Sequence, residues 1–125
     1  MVTTLPGLEK LHSLNPNLRI IDFRILVEFR LIYEDRVATI HCTMAAEDEG
    51  VAYIANFKFT HAGDISLRRI SNIEAYVAGF DVMSIHDRQL EEYDWEVVDY
   101  EGDEIHWNAR EAEIVSVKIA THAIR

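Results

Sequence analysis

The chain has 125 residues, 49% of them apolar and 27% charged, with one cysteine and 22 acidic against 12 basic side chains for a net charge of −10. That length predicts a single domain over 1–125, and the composition is that of a chain that buries a core rather than of a disordered one. No apolar run approaches the roughly 18 residues needed to cross a bilayer. Met1-Val2-Thr3-Thr4 lacks the basic and apolar regions of a signal peptide, and the lone Cys42 excludes an internal disulfide, so a cytoplasmic location without a membrane partner is expected.

Leu8, Leu11 and Leu14 recur at helical spacing, with Thr4 as a cap ahead of Pro6 and Asn15-Pro16 as the stop, which predicts a short amphipathic helix over about 6–14. From 21 to 33 every second residue is apolar (Ile21, Phe23, Ile25, Val27, Phe29, Leu31, Tyr33), while Asp22, Arg24, Glu28 and Arg30 take the other parity. This predicts a long strand buried on one face. Glu34-Asp35 reads as a tight turn into a second strand, with Ala38, Ile40, Cys42 and Met44 on its inner face and Cys42 as a buried structural thiol.

"AAEDEG" closes that strand, and Val51, Tyr53, Ala55, Phe57 and Phe59 form a third alternating run. His61-Ala62-Gly63-Asp64 then predicts a turn into a short fourth strand around Ile65 and Leu67, so the first half is an antiparallel meander. Ser71 and Glu74 have capping-box spacing, and Ile73, Tyr76, Val77 and Phe80 share a helical face, which predicts a second short helix over 72–78 ending at Gly79. A short strand fits Val82–Ile85, and three more fit about 91–99, 104–110 and 112–121. The expected class is α+β, mainly β: an antiparallel meander sheet with two short helices. Whether it is curved or barrel-like stays open at this level.

Residues 90–104, "LEEYDWEVVDYEGDE", carry eight carboxylates, three large aromatic side chains and no Lys or Arg. Burial selects the register of this hairpin. With Glu101-Gly102-Asp103 as a three-residue loop, Val97 faces Trp107 and Trp95 faces Ala109, whereas a two-residue turn would set Glu96 against Trp107. Trp95, Val97 and Trp107 then point into the core, and Asp94, Glu96 and His106 point outward.

Between Asp81 and Glu113 twelve acidic residues stand against Arg88 and Arg110, and the rest of the chain holds ten acids and ten bases, so the full net charge sits in this stretch. The plain reading is a solvated hairpin face that resists aggregation. Against it, like charges facing one another across a ladder are destabilising, and a solvated face normally mixes signs. A concentrated negative field speeds encounter with a basic protein and repels nucleic acid as a direct ligand.

The six histidines are scattered, with no pair spaced to set two ligands on one face. "IHD" at 85–87 lacks the further His and Asp that a metal-dependent phosphohydrolase needs. "DYEGDE" at 99–104 has its Gly misplaced for an EF-hand loop, which leaves weak divalent-cation binding as an open alternative. There is no nucleophile motif and no phosphate-binding glycine loop, so no catalytic residue, metal ligand or cofactor is assigned, and the enzyme reading ranks below a binding one.

The closing stretch "WEVVDYEGDEIHWNAREAEIVSV", a strand, an acidic turn and a strand of alternating apolar residues, resembles the C-terminal part of small β-rich bacterial immunity-type proteins. The resemblance implies an acidic protein that neutralises a partner by covering its basic site. Taken with the charge distribution, it makes a cytoplasmic non-catalytic binding protein the leading expectation. Glu92, Asp94, Glu96, Asp99, Glu101, Asp103 and Glu104 are expected to supply steering and rim contacts, and Tyr100 the anchor. Two alternatives stand beside it: a small-molecule-binding or enzymatic fold with a pocket lined by groups such as Tyr33, Tyr53 and Trp107, and a structural homodimer that pairs its sheet edges.

Overall fold

The computed structural model describes residues 4–67, 75–77, 79–85, 93–99 and 105–120. Helix α1 (Leu8–Leu14) buries Leu11 and follows the leucine spacing, but it begins two residues after the expected start. The Pro6 carbonyl is used elsewhere, accepting the Ile114 N–H at 2.8 Å, and Gly7 turns the chain with φ 91°. A Cβ at Gly7 would run into the Ile114 carbonyl, so the helix entry meets the sheet at a point that only glycine fits.

The strand expected from residue 21 starts later. The Asp22 carboxylate accepts the Arg19 N–H at 2.8 Å and closes Ile20–Asp22 into a 3-10 turn, a local bond that outcompetes extension. Strand β1 (Ile25–Glu34) then carries a bulge between Leu26 and Glu28 that shifts its parity. Leu26 faces Met44, and beyond the bulge Phe29 faces Cys42 and Leu31 faces Ile40. Phe23 is buried as expected, whereas Val27 is 44% exposed and Tyr33 is 70% exposed. The turn into β2 (Val37–Asp48) is Asp35-Arg36, one residue later than expected, with φ of 51° and 66°.

Strand β3 (Val51–Leu67) absorbs the turn expected at 61–64 as a bend within one strand. His61 and Asp64 have φ of 53° and 52°, and a bulge lies between Gly63 and Ser66, yet pairing to the last strand continues on both sides. The helix expected over 72–78 is corrected where it is described. Ala75–Tyr76 is a short strand, β4, paired with Leu26 and Ile25, and the Val77 N–H donates to the Arg24 carbonyl at 2.6 Å. The unpaired backbone along the β1 edge wins over the local capping pattern; residues 72–74 and 78 lie outside the described residues. The four strands expected in the C-terminal part become three, β5 (Phe80–Ser84), β6 (Trp95–Asp99) and β7 (Ile105–Ile119), the last being one continuous strand where two were expected.

Every pairing is antiparallel, and the sheet order is β4-β1-β2-β3-β7-β6-β5. Two three-stranded meanders, β1-β2-β3 and β5-β6-β7, thus join where β3 meets β7, with the two-residue β4 added at one edge. β4 and β5 occupy opposite edges yet are separated in the chain only by residues 77–79, so the sheet has to curl until its edges adjoin. Aromatic rings fill the curl. Phe57 meets Phe23 and Phe80 at centroid distances of 6.1 and 5.5 Å, and Phe29 of β1 meets Trp107 of β7 at 5.6 Å with two strands between them in the sheet. Among the described residues the two edges do not hydrogen-bond to each other, and the sheet is strongly curved but not a closed barrel. Cys42 lies in this core, where burial pushes its thiol pKa far above the ordinary range. Among the described residues no helix is long and apolar enough to cross a membrane.

Candidate functional site

The acidic hairpin folds in the register that burial selects: Trp95 faces Ala109 and Val97 faces Trp107, with all four side chains buried. Opposite parity puts Asp94 in solvent and leaves Glu96 and His106 half-buried on the outer face. Asp99 behaves differently from its acidic neighbours. It shares parity with Trp95 and Val97, is 3% exposed, and its Oδ1 accepts the Ile105 N–H at 3.0 Å. Its carboxylate closes the hairpin from within and not on the outer face where it was expected; the parity is the sequence signal that marks it. Glu92, Tyr100, Glu101, Asp103 and Glu104 lie outside the described residues.

The outer face of the hairpin is tied to the bend in β3. His106 Nε2 lies 3.0 Å from Glu96 Oε2, and His106 Nδ1 lies 3.1 Å from the Asp64 carbonyl. Asn108 donates to Asp64 Oδ2 at 3.2 Å. Asp64 thereby joins Glu96 in one polar network, an acid that sequence reasoning placed in a turn remote from the hairpin. The Gly63-Asp64 pair signals a break in a strand, but nothing local says against which strand the break will lie.

A cleft of about 680 Å³ opens at the foot of the hairpin. The Asp94 N–H donates to the Ala109 carbonyl at 3.1 Å, and the next neighbour along β7 is Pro6, whose carbonyl holds Ile114. Between these two contacts β7 borders the cleft with Glu111 and Glu113, joined by Asp94 just ahead of β6 and by Lys58 and Arg110. Further along the outer face, register sets Arg30, His41 and Lys58 side by side on β1, β2 and β3. Partial burial, together with the Arg30 and Lys58 charges, holds the His41 imidazole below its ordinary pKa, with Glu28 acting weakly in the other direction. Among the described residues no three His, Cys, Asp or Glu side chains converge to hold a metal ion.

No family model matches the chain, and no curated protein or solved structure matches it.

Proposed function

We propose that this protein is a non-catalytic binding protein of the immunity or inhibitor type, working in the cytoplasm, whose acidic hairpin docks on a basic surface of a partner protein. The observation that carries the reading is the segregation of charge. The whole net charge of −10 lies between Asp81 and Glu113, and the described part of that stretch forms β5, β6 and the first half of β7, which are neighbours at one side of the sheet. The described acids of the stretch therefore lie on one side of the sheet, with Asp94, Glu111 and Glu113 around the cleft at the hairpin foot. A field of one sign on one side of a small domain raises the rate of encounter with a basic partner and screens away with salt.

Affinity capture from lysate of the source cell, at low and at high salt, tests the reading. A basic protein held at low salt and released at high salt is the expected result, and an empty capture at both salts overturns it. With the partner in hand, reversing Asp94 and Glu101 to Lys is expected to slow association by about tenfold or more at low salt. A thermal unfolding scan checks that the variant is folded. Glu96 is left out of the reversal because it is bonded to His106. An unchanged association rate would remove the steering role.

A further inference from the structure

A second cavity, of about 380 Å³, opens at the rim of the curled sheet and carries the opposite chemistry. It is lined by Tyr33 at the end of β1, Arg36 in the β1–β2 turn, His61 and Ala62 of β3, Arg110 of β7, and Tyr93 ahead of β6. Four separate segments of the chain meet here, so the gathering of two arginines and a histidine is a product of the fold and not of a basic run in the sequence.

Three observations set this cavity apart from an ordinary surface depression. In a chain with 22 acidic residues, Arg36, His61 and Arg110 have no hydrogen bond or ion pair to any carboxylate among the described residues. Two of the three, Arg36 and His61, are held in the left-handed backbone region at φ 66° and 53°, where glycine or asparagine is the usual occupant. Such conformations persist where the surroundings enforce them, and they gather at ligand sites. The third observation concerns Tyr93. Its hydroxyl occupies the space over Gly63 that a Cβ would fill, so the ring is seated across β7 against β3 and forms a fixed wall of the cavity.

We propose that this cavity is a binding site for a small organic oxyanion, an aromatic or planar body lying between Tyr33 and Tyr93 with its phosphate or carboxylate group held by Arg36, Arg110 and His61. The guanidinium fork presents paired N–H donors that match either group, and tyrosine rings offer flat apolar walls with polar tips. The volume is at the lower end of the range for small-ligand pockets, which suits a single ring with its anionic group. Arg110 borders both this cavity and the acidic cleft, but the two readings differ in chemistry, since this site uses bases where docking uses acids.

Phenyl phosphate, benzoate and inorganic phosphate, each titrated into the intact protein at constant ionic strength and followed by NMR and calorimetry, test the proposal. Saturable one-to-one binding of phenyl phosphate or benzoate, with a Kd below about 1 mM, is the expected result, and inorganic phosphate binds more weakly because it lacks the ring. Whichever of the two aromatic anions binds more tightly assigns the group as phosphate or carboxylate. The resonances that move should be those of Tyr33, His61, Ala62 and Tyr93. Arg36→Asn, which tolerates the left-handed turn, and Arg110→Gln should each weaken binding by about tenfold. Arg19→Gln, the same change of net charge at a residue paired with Asp22, should leave it within about twofold. Absence of saturable binding by either aromatic anion up to about 10 mM overturns the proposal. So does an equal loss in Arg19→Gln and Arg36→Asn, or shifts confined to residues away from the cavity.

Discussion

Replacing Asp99 by alanine removes the acceptor of the Ile105 N–H at the point where β6 and β7 meet the hairpin loop. At 3% exposure the carboxylate is inside the protein, so the orphaned N–H regains little from solvent. Leaving a buried donor unpaired costs about 1–3 kcal/mol, and hydrogen bonds to a charged acceptor fall in the upper part of that range, so a loss of about 2 kcal/mol is expected. For a chain of this size about 4 °C accompanies each kcal/mol, which puts the midpoint of Asp99→Ala about 8 °C below the parent. Asp99→Asn keeps an oxygen for Ile105 while losing the charge, so it should fall by about half as much. Thermal unfolding of the three proteins at pH 7, followed by circular dichroism, reads both numbers. If Asp99→Ala melts within about 1 °C of the parent, or if Asn falls as far as Ala, the internal hydrogen bond is not what closes the hairpin. The same pair of variants separates a structural carboxylate from those proposed to dock, because Asp99→Asn leaves Asp94 and the cleft unaltered.

Two further outcomes follow from the geometry. Gly63→Ala drives a methyl into the Tyr93 hydroxyl and brings it within 2.9 Å of the ring carbon Cζ, so it should destabilise by about 1–3 kcal/mol. That cost should vanish when Tyr93→Ala is already present, and an equal cost in both backgrounds in a double-mutant cycle would refute the contact. His41 titrates below its ordinary value of 6.5, first because of burial and then because of Arg30 and Lys58. The unfolded chain therefore takes up the proton first on acidification. The contribution to stability is complete above the ordinary value and is lost as pH falls through it toward the folded one. NMR titration of Lys58→Gln should show the His41 midpoint moving part of the way up, burial holding back the remainder; an unmoved midpoint rules out the cross-strand charge.

Alternation alone determined much of this protein. The inward set of β2 and of β3 as far as Phe59, the Trp95–Ala109 and Val97–Trp107 register, and the outward parity of Asp94 and Glu96 all follow from a period of two and one buried face. The first helix is equally legible, because the leucine spacing and the Asn15-Pro16 stop are local. The buried place of Asp99 was also written in its parity with Val97, although its charge suggests the surface.

What the sequence left undecided depends on groups far away along the chain. The bulges at Leu26/Glu28 and Gly63/Ser66 turn Val27 outward and carry Asp64 to His106. Each is set by the fit of one long strand against another, and no residue near the bulge specifies that fit. Residues 75–76 have a helical pattern around them and become strand because the β1 edge offers unpaired backbone groups. The meeting of Arg36, His61 and Arg110 is the furthest of these from anything local. It comes from a turn, a bend and a strand that only the curl of the sheet brings to one cavity, because closing the aromatic core around Phe57 draws the two edges together.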